Sequence, residues 1–276
     1  MSGRPNVLHV SWHDVGRYLG CYGRSAIPSP HVDRFAAEGV LFSNYWSTST
    51  LCSPSRACTF TGRYPQTVGV SSLCHAPELY HLHPGIRHLS HIMRDAGWHT
   101  ALIGWQHETT HDRVRSDLGF QEVHLNDPIP ECEEIAVFAD SWLVRQAATG
   151  QPFYLQLGFI EIHRSRGSYG QIPWSRDGVY VPPFLKDTTD ARAELAIQQA
   201  NIRKADAGFN AILASLHRHG LDHNTIVVFT SDHGMGNLPR SKGTLYDGGI
   251  EVPFIIRWPN GGIVGGCRCD WLLSSV

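Results

Sequence analysis

Acidic and imidazole side chains recur in this chain immediately after short apolar runs. His13 and Asp14 follow the run 6–12, His107 follows 98–104, Glu161 and His163 follow 153–159, and Asp232 and His233 follow 225–231. Carboxylates and imidazoles hold divalent cations and move protons near neutral pH. Taken singly, each has an ordinary reading: Asp14 as a turn cap, Asp232-His233-Gly234 as a strand-to-loop turn. If the four runs are strands of one open sheet, the four sets converge, because such sheets bind ligands beyond the carboxyl ends of their strands. Asp14 and Asp232 brought together there would repel each other. One divalent cation between them is therefore expected. On that reasoning, Asp232→Ala should barely harm, or even stabilise, the metal-free fold.

A second candidate is the compact run Leu51-Cys52-Ser53-Pro54-Ser55-Arg56, continuing to Thr61-Gly62-Arg63. Pro54 can open a helix just after Cys52, and the free N–H groups of that helix would face a bound anion. Arg56 falls within the first turn, where it could hold an oxyanion. A buried cysteine in a proline-containing turn is the bland alternative. Lys242 stands in the glycine-rich stretch 242–249 and, by itself, reads as a solvated loop lysine.

The elements that must position these residues alternate along the chain. Strands are expected over 6–12, 98–104, 153–159, 225–231 and 252–258. Helices are expected from Pro30 to a stop at Gly39, from Leu89 to a stop at Gly97, over 133–149 and over 190–219. This pattern predicts an α/β fold with a mostly parallel central sheet and helices on both faces. Segment 160–189 is rich in Gly, Pro, Arg and Tyr, without periodicity, and reads as a long functional loop.

Composition narrows the rest. The 276 residues, 42% hydrophobic, suffice for a sizeable core. A net charge of −2 with scattered Lys and Arg gives no nucleic-acid footprint. No stretch is apolar for long enough to span a bilayer, and 1–10 reads as a first strand instead of a signal peptide, so neither nucleic acid nor membrane is expected as a partner and a cytoplasmic location is. The seven cysteines form no CxxC pair, which argues against a zinc knuckle or disulfide framework; Cys267 and Cys269 make only a C-x-C. The apolar end 271–276 has no cap or polar tail and reads as an interrupted fold.

The run Cys52-Ser53-Pro54-Ser55-Arg56 with Thr61-Gly62-Arg63 resembles the C-x-P-S-R…T-G-R signature of sulfatases, in the alkaline phosphatase superfamily; Thr59 sits where that family usually has an apolar residue. Asp14 matches the second aspartate of the family's D-D metal pair, with His13 at the position of the first. Ser231-Asp232-His233-Gly234 matches S-D-[NH]-G, and 242–249 resembles K-x-T-x-Y-E-G-G. Gly104-Trp105-Gln106-His107 is similar to G-K-x-H, with Trp105 in place of the lysine, and His163 matches the last histidine of H-x-P-H. The match runs through nearly the whole chain in order. The sequence around His163 and the run 181–184 also resemble N-sulfoglucosamine sulfohydrolases and their bacterial relatives.

The resemblance implies an alkaline-phosphatase-like catalytic domain over 1–276, with the family's C-terminal subdomain missing. It implies a sulfuric ester or sulfamate hydrolase in which Cys52 is oxidised to formylglycine by a maturation enzyme. Its hydrated aldehyde would supply one hydroxyl to attack sulfur and another to expel sulfate. His13, Asp14, Cys52, Asp232 and His233 would hold one divalent metal, calcium being usual, with manganese or zinc open because of the two histidines. Arg56, His107, His163 and Lys242 would position and neutralise sulfate, one of the two histidines, His163 ahead of His107, protonating the leaving group; Gln106 could add hydrogen bonds. The substrate would be small and sulfated, such as a sulfated sugar. Two alternatives share the fold: a phosphonate or phosphodiester hydrolase, and a non-catalytic binding protein.

Overall fold

The structure, a computed structural model, describes residues 3–125, 129–164 and 168–276. Eight strands form one sheet: β1 (Asn6–Trp12), β2 (Val40–Trp46), β3 (His99–Gly104), β4 (Glu122–His124), β5 (Phe153–Gly158), β6 (Thr225–Ser231), β7 (Phe254–Arg257) and β8 (Cys267–Ser274). Their order across the sheet is β4-β3-β5-β1-β6-β7-β2-β8. All neighbours pair parallel except the two pairs made by β7, which runs against β6 and β2. The expected mostly parallel α/β sheet is thus present, with three strands, β2, β4 and β8, that the sequence pattern did not announce.

Alternation along the central strands divides the core between two faces. Leu8, Val10 and Trp12 of β1 pack with Leu155 and Leu157 of β5 and Phe229 of β6. Helices α1 (Pro30–Glu38), α6 (Cys132–Thr149) and α7 (Thr189–Arg218) cover this face, supplying Phe35, Trp142 and Phe209. Leu102 and Tyr154 point the other way. There they meet Ala57 of α2 (Cys52–Thr61), Val68 of α3 (Pro65–Val68), Met93 of α4 (Leu89–Asp95) and Leu118 of α5 (Val114–Leu118). A one-turn helix, α8 (Asp247–Ile250), precedes β7. Among the described residues, none between β5 and α7 lies in a helix or strand, as expected of the long loop.

Register brings four strand ends level. Ser11 lies beside Gly158 and Thr230, Trp12 beside Ser231, and Gly104 beside Gly158. The chain leaving β3, β5, β1 and β6 therefore emerges along one continuous edge. Glycine permits the closest approach there: a Cβ on Gly158 would lie 1.7 Å from the Trp105 carbonyl oxygen. At the opposite side of the sheet, β8 leaves Trp271 and Leu272 exposed. All seven cysteines are free, and no helix among the described residues is long and apolar enough to cross a membrane.

Candidate active site

β1 and β6 end side by side, and their next residues make the centre of the site. Asp14 turns the chain with φ 52°, and its backbone N–H donates to Asp232 Oδ1 at 3.0 Å. The same oxygen accepts the His233 backbone N–H at 2.9 Å, while Asp232 Oδ2 accepts Arg56 Nε at 3.2 Å. His13 Nδ1 lies 2.7 Å from Asp14 Oδ1 and 3.3 Å from Asp232 Oδ2. His233 Nε2 lies 3.3 Å from Asp14 Oδ1 and 3.2 Å from Cys52 Sγ. One ligand atom from each of His13, Asp14, Cys52, Asp232 and His233 lies within 4.8 Å of all the others, and all five residues are buried. These are the five residues expected to share a metal.

Cys52 gains its place from α2. This helix starts at Cys52 itself, two residues before the expected start at Pro54, and Arg56 follows one turn later. Eight of its ten residues are buried, including Ser55 and Arg56, so the helix is pinned by polar contacts as well as apolar ones. Ser55 Oγ donates to the Asp232 carbonyl at 2.5 Å, and Arg56 Nη2 donates to the Trp12 carbonyl at 3.3 Å. These bonds fix the N-terminus of α2 against the ends of β1 and β6, where its free N–H groups favour an anion. Lys242 reaches in from the loop after β6, its Nζ 2.9 and 3.0 Å from the Asp14 carboxylate oxygens.

The charges hold one another. Burial would raise the carboxyls of Asp14 and Asp232, but the nearby His13 and His233 charges bring both below the usual range, with Lys242 also acting on each. Burial would lower His233, yet Asp232, Cys52 and Asp14 hold it up at about 9; the same three groups raise His13. Burial would likewise raise the Cys52 thiol, but the two imidazolium groups and a hydrogen bond from His107 bring it well down. The expectation that Asp14 and Asp232 simply repel each other is therefore corrected. In the metal-free protein Asp232 is the acceptor around which Arg56 and two backbone N–H groups are arranged.

The histidines expected to handle the substrate stand around this centre. The His163 ring lies 4.7 Å from that of His13 and the His107 ring 6.2 Å from it. Burial and the His13 charge lower His163 to about 4, and burial lowers His107. The Trp105 ring lies beside both His13 and His107, at 6.2 and 5.1 Å between centroids. It also lines a cavity of about 220 Å³ with His75, His107 and Thr109. Trp105 is thus a cavity wall and only half-buried, and the alternative that it simply packs into the core is not what the structure shows.

Two strand-end residues do something other than expected. Glu161 turns to the start of α6, where its Oε1 accepts the Cys132 backbone N–H at 2.5 Å. Gln106 is spent on its own loop: it donates to the Thr109 carbonyl at 2.9 Å and accepts the Glu108 and Thr109 backbone N–H groups. Sequence reasoning missed Glu108, which is fully buried. Its carboxylate accepts the His107 backbone N–H at 2.6 Å and Gln156 Nε2 at 2.8 Å, so it holds the loop that carries His107. It also missed His75, whose ring stacks on His107 at 5.1 Å. An acid directly after a strand-end histidine was the signal for Glu108; His75 had none.

A family model described as Sulfatase matches residues 5–262. The chain belongs to the sulfatase family. Among curated relatives, it is 29% identical over 304 residues to an ulvan-active sulfatase of Formosa agariphila, which covers 93% of this chain and 48% of that protein. It is also 29% identical over 282 residues to the N-sulphoglucosamine sulphohydrolase of Homo sapiens, covering 93% of this chain and 56% of that one. This sulfatase chain therefore spans about half the length of those relatives. A solved phosphonate monoester hydrolase of Agrobacterium radiobacter superposes with a TM-score of 0.75 at 20% identity, over 99% of this chain and 71% of that one. At that identity the likeness concerns the fold alone.

Proposed function

We propose that this sulfatase hydrolyses the sulfate ester or sulfamate of a small sulfated substrate, a sulfated sugar in the first instance, and that residues 1–276 form its catalytic domain. The observation that carries the reading is Cys52 as the first residue of a buried helix, 3.2 Å from His233 Nε2 and inside a five-residue cluster of metal-ligand types. The donor set suits a divalent cation: two carboxylates and two imidazoles converge, His13 through Nδ1 and His233 through Nε2. Cys52 oxidised to formylglycine by a maturation enzyme would, once the aldehyde adds water, offer a hydroxyl for attack on sulfur, and a cation held beside it would activate that hydroxyl.

The remaining steps fall to the chain's own residues. The N-terminal N–H groups of α2 attract the sulfate, and Lys242 exchanges its contact with Asp14 for a sulfate oxygen. Arg56 stays on Asp232 and keeps that carboxylate oriented. His107, steadied by Glu108, donates to a further oxygen. His163 is neutral near pH 7 in the free protein; a bound sulfate raises its pKa by proximity, and the protonated ring then gives its proton to the leaving oxygen or nitrogen. Trp105 offers a flat apolar wall for the organic part of the substrate.

The test joins two measurements on one sample. Peptide mass spectrometry should show formylglycine at Cys52, and that sample should release sulfate from aryl sulfates and sulfated sugars faster than it cleaves aryl phosphonates or phosphodiesters. Full activity with only a thiol at Cys52 would defeat the role of Cys52. Preferred cleavage of phosphonates or phosphodiesters would move the protein to that class. Metal and sulfate binding by the converted protein without turnover would make it a binding protein.

A further inference from the structure

We infer that the ion held by His13, Asp14, Asp232 and His233 is a first-row transition ion of the kind that imidazole nitrogen suits, zinc in the first instance, and that calcium is disfavoured. The inference rests on reading this cluster as the metal site of the proposed hydrolase, and it deepens that reading.

The donor atoms decide it. Calcium takes about six to eight oxygen ligands and keeps a roomy shell. Here oxygen comes from two carboxylates and whatever Cys52 carries, and the remaining side chains of the cluster that can ligate are imidazoles; Lys242 and Arg56, which also touch the carboxylates, offer no ligand atom. The five residues of the cluster are at most 3% exposed. Imidazole nitrogen instead suits zinc, copper, iron and nickel, whereas manganese, like calcium, is suited by carboxylate, carbonyl and water oxygen.

The two histidines are placed as ligands and not as backing. His13 Nδ1 faces both carboxylates, at 2.7 Å from Asp14 and 3.3 Å from Asp232. His233 Nε2 faces the same pair, at 3.3 Å from Asp14 and 3.7 Å from Asp232. On the far side of the ring, His233 Nδ1 donates to the Gly234 carbonyl at 2.8 Å. That bond leaves Nε2 as the nitrogen facing the carboxylates, the one that would give up its proton and ligate an ion, in the arrangement that orients metal-bound histidines. Asp232 is oriented in its turn by Arg56 and by the Asp14 and His233 backbone N–H groups. The ligands thus carry a surrounding set of hydrogen bonds, and both carboxylates have imidazole nitrogens as neighbours.

The full chain, stripped with a chelator, is titrated with Zn²⁺, Mn²⁺ and Ca²⁺ by calorimetry, with elemental analysis after dialysis. One Zn²⁺ per chain should bind, and an excess of about 100-fold Ca²⁺ should fail to displace it, Mn²⁺ serving as the paramagnetic probe of the same site. Pulsed electron paramagnetic resonance of the Mn²⁺-loaded protein should show nitrogen couplings from two imidazoles. In His13→Asp one coupling should vanish, and preference should move toward Ca²⁺ by about 100-fold or more. Should that variant fail to fold, the wild-type couplings and competition decide alone. Stoichiometric displacement of Zn²⁺ by Ca²⁺, or a Mn²⁺ spectrum without nitrogen coupling, would overturn the inference. Sulfate release is followed on the same samples. Release by a calcium-preferring protein would sink the metal assignment and leave the hydrolase reading intact, whereas transition-ion binding without release would do the reverse.

Discussion

Replacing Asp232 by alanine in the metal-free protein is expected to destabilise it by about 3–5 kcal/mol, the range for breaking a buried ion pair from one side. The magnitude follows from what the carboxylate holds. Arg56 is 1% exposed, and its Nε donates to Asp232 Oδ2, so truncation leaves a guanidinium buried beside the histidines. The backbone N–H groups of Asp14 and His233 lose their acceptor at the same time, and buried donors left without partners are costly. Relief of repulsion with Asp14 is small by comparison, because His13 and Lys242 already face that carboxylate. Equilibrium urea unfolding in the presence of chelator measures the difference, and a fall in Tm on the order of 10 °C should accompany it. Asp232→Asn, which keeps an acceptor, should lose less. The pH dependence has a definite sign. Despite burial, the His13, His233 and Arg56 charges hold the Asp232 carboxyl well below its usual value. Its contribution is therefore fully present above about pH 4 and is lost as pH falls from there toward the folded-state value. The gap between wild type and Asp232→Asn should close in acid. Unchanged or increased stability of metal-free Asp232→Ala near pH 7 would refute the reasoning and restore the view that the two carboxylates merely repel.

Three further outcomes are expected. Trp105→Lys should change the ratio of rates on sugar and aryl sulfates by about tenfold or more while costing less than about 2 kcal/mol of stability, since a lysine at a half-buried cavity wall can extend its head to water; a large fall in Tm with unchanged ratios would return Trp105 to the core. His163→Ala should slow sugar sulfates by about 100-fold and nitrophenyl sulfate far less, because only the poorer leaving group needs a proton; equal losses on both substrates would remove His163 as the acid. Gly158→Ala should cost about 2 kcal/mol or more in thermal or urea unfolding, because its Cβ would lie 1.7 Å from the Trp105 carbonyl oxygen; a neutral result would show that the β3 and β5 ends can spread.

Much of the fold was legible because the central strands are buried on both faces. β1 and β6 read as near-continuous apolar runs, each followed at once by its chemistry-bearing pair, and the observed spans agree with the expected ones. The strands that escaped notice lie toward the sheet's edges. β2 carries Ser43 and Asn44 at its centre, β4 has three residues, and β8 is largely exposed, so none offers a clean apolar pattern. The start of α2 was misplaced for a related reason. Both sides of that helix are buried and much of what it buries is polar, so periodicity could not locate its first residue, and Pro54 marked the third position in place of the first. Contacts made far along the chain, such as Glu108 with Gln156 or Glu161 with Cys132, leave no local trace in a sequence.

The two departures from the family pattern that raised doubt singly become intelligible together. At position 13 a histidine stands for an expected aspartate, and at position 105 a tryptophan stands for an expected lysine. The rings of His13 and Trp105 lie 6.2 Å apart, so both changes act on the same volume. With an ion bound and His13 neutral as its ligand, one change removes a formal negative charge and the other a formal positive charge, so the two offset each other beside a bound sulfate. Lysine at 105 beside an imidazole-ligated ion would add a cation where no third carboxylate remains to offset it. Aspartate at 13 beside Trp105 would add an anion facing the incoming sulfate. Each substitution therefore suits the other, and the pair shifts the site toward nitrogen ligation and an apolar wall while Lys242 and the start of α2 remain to receive the anion.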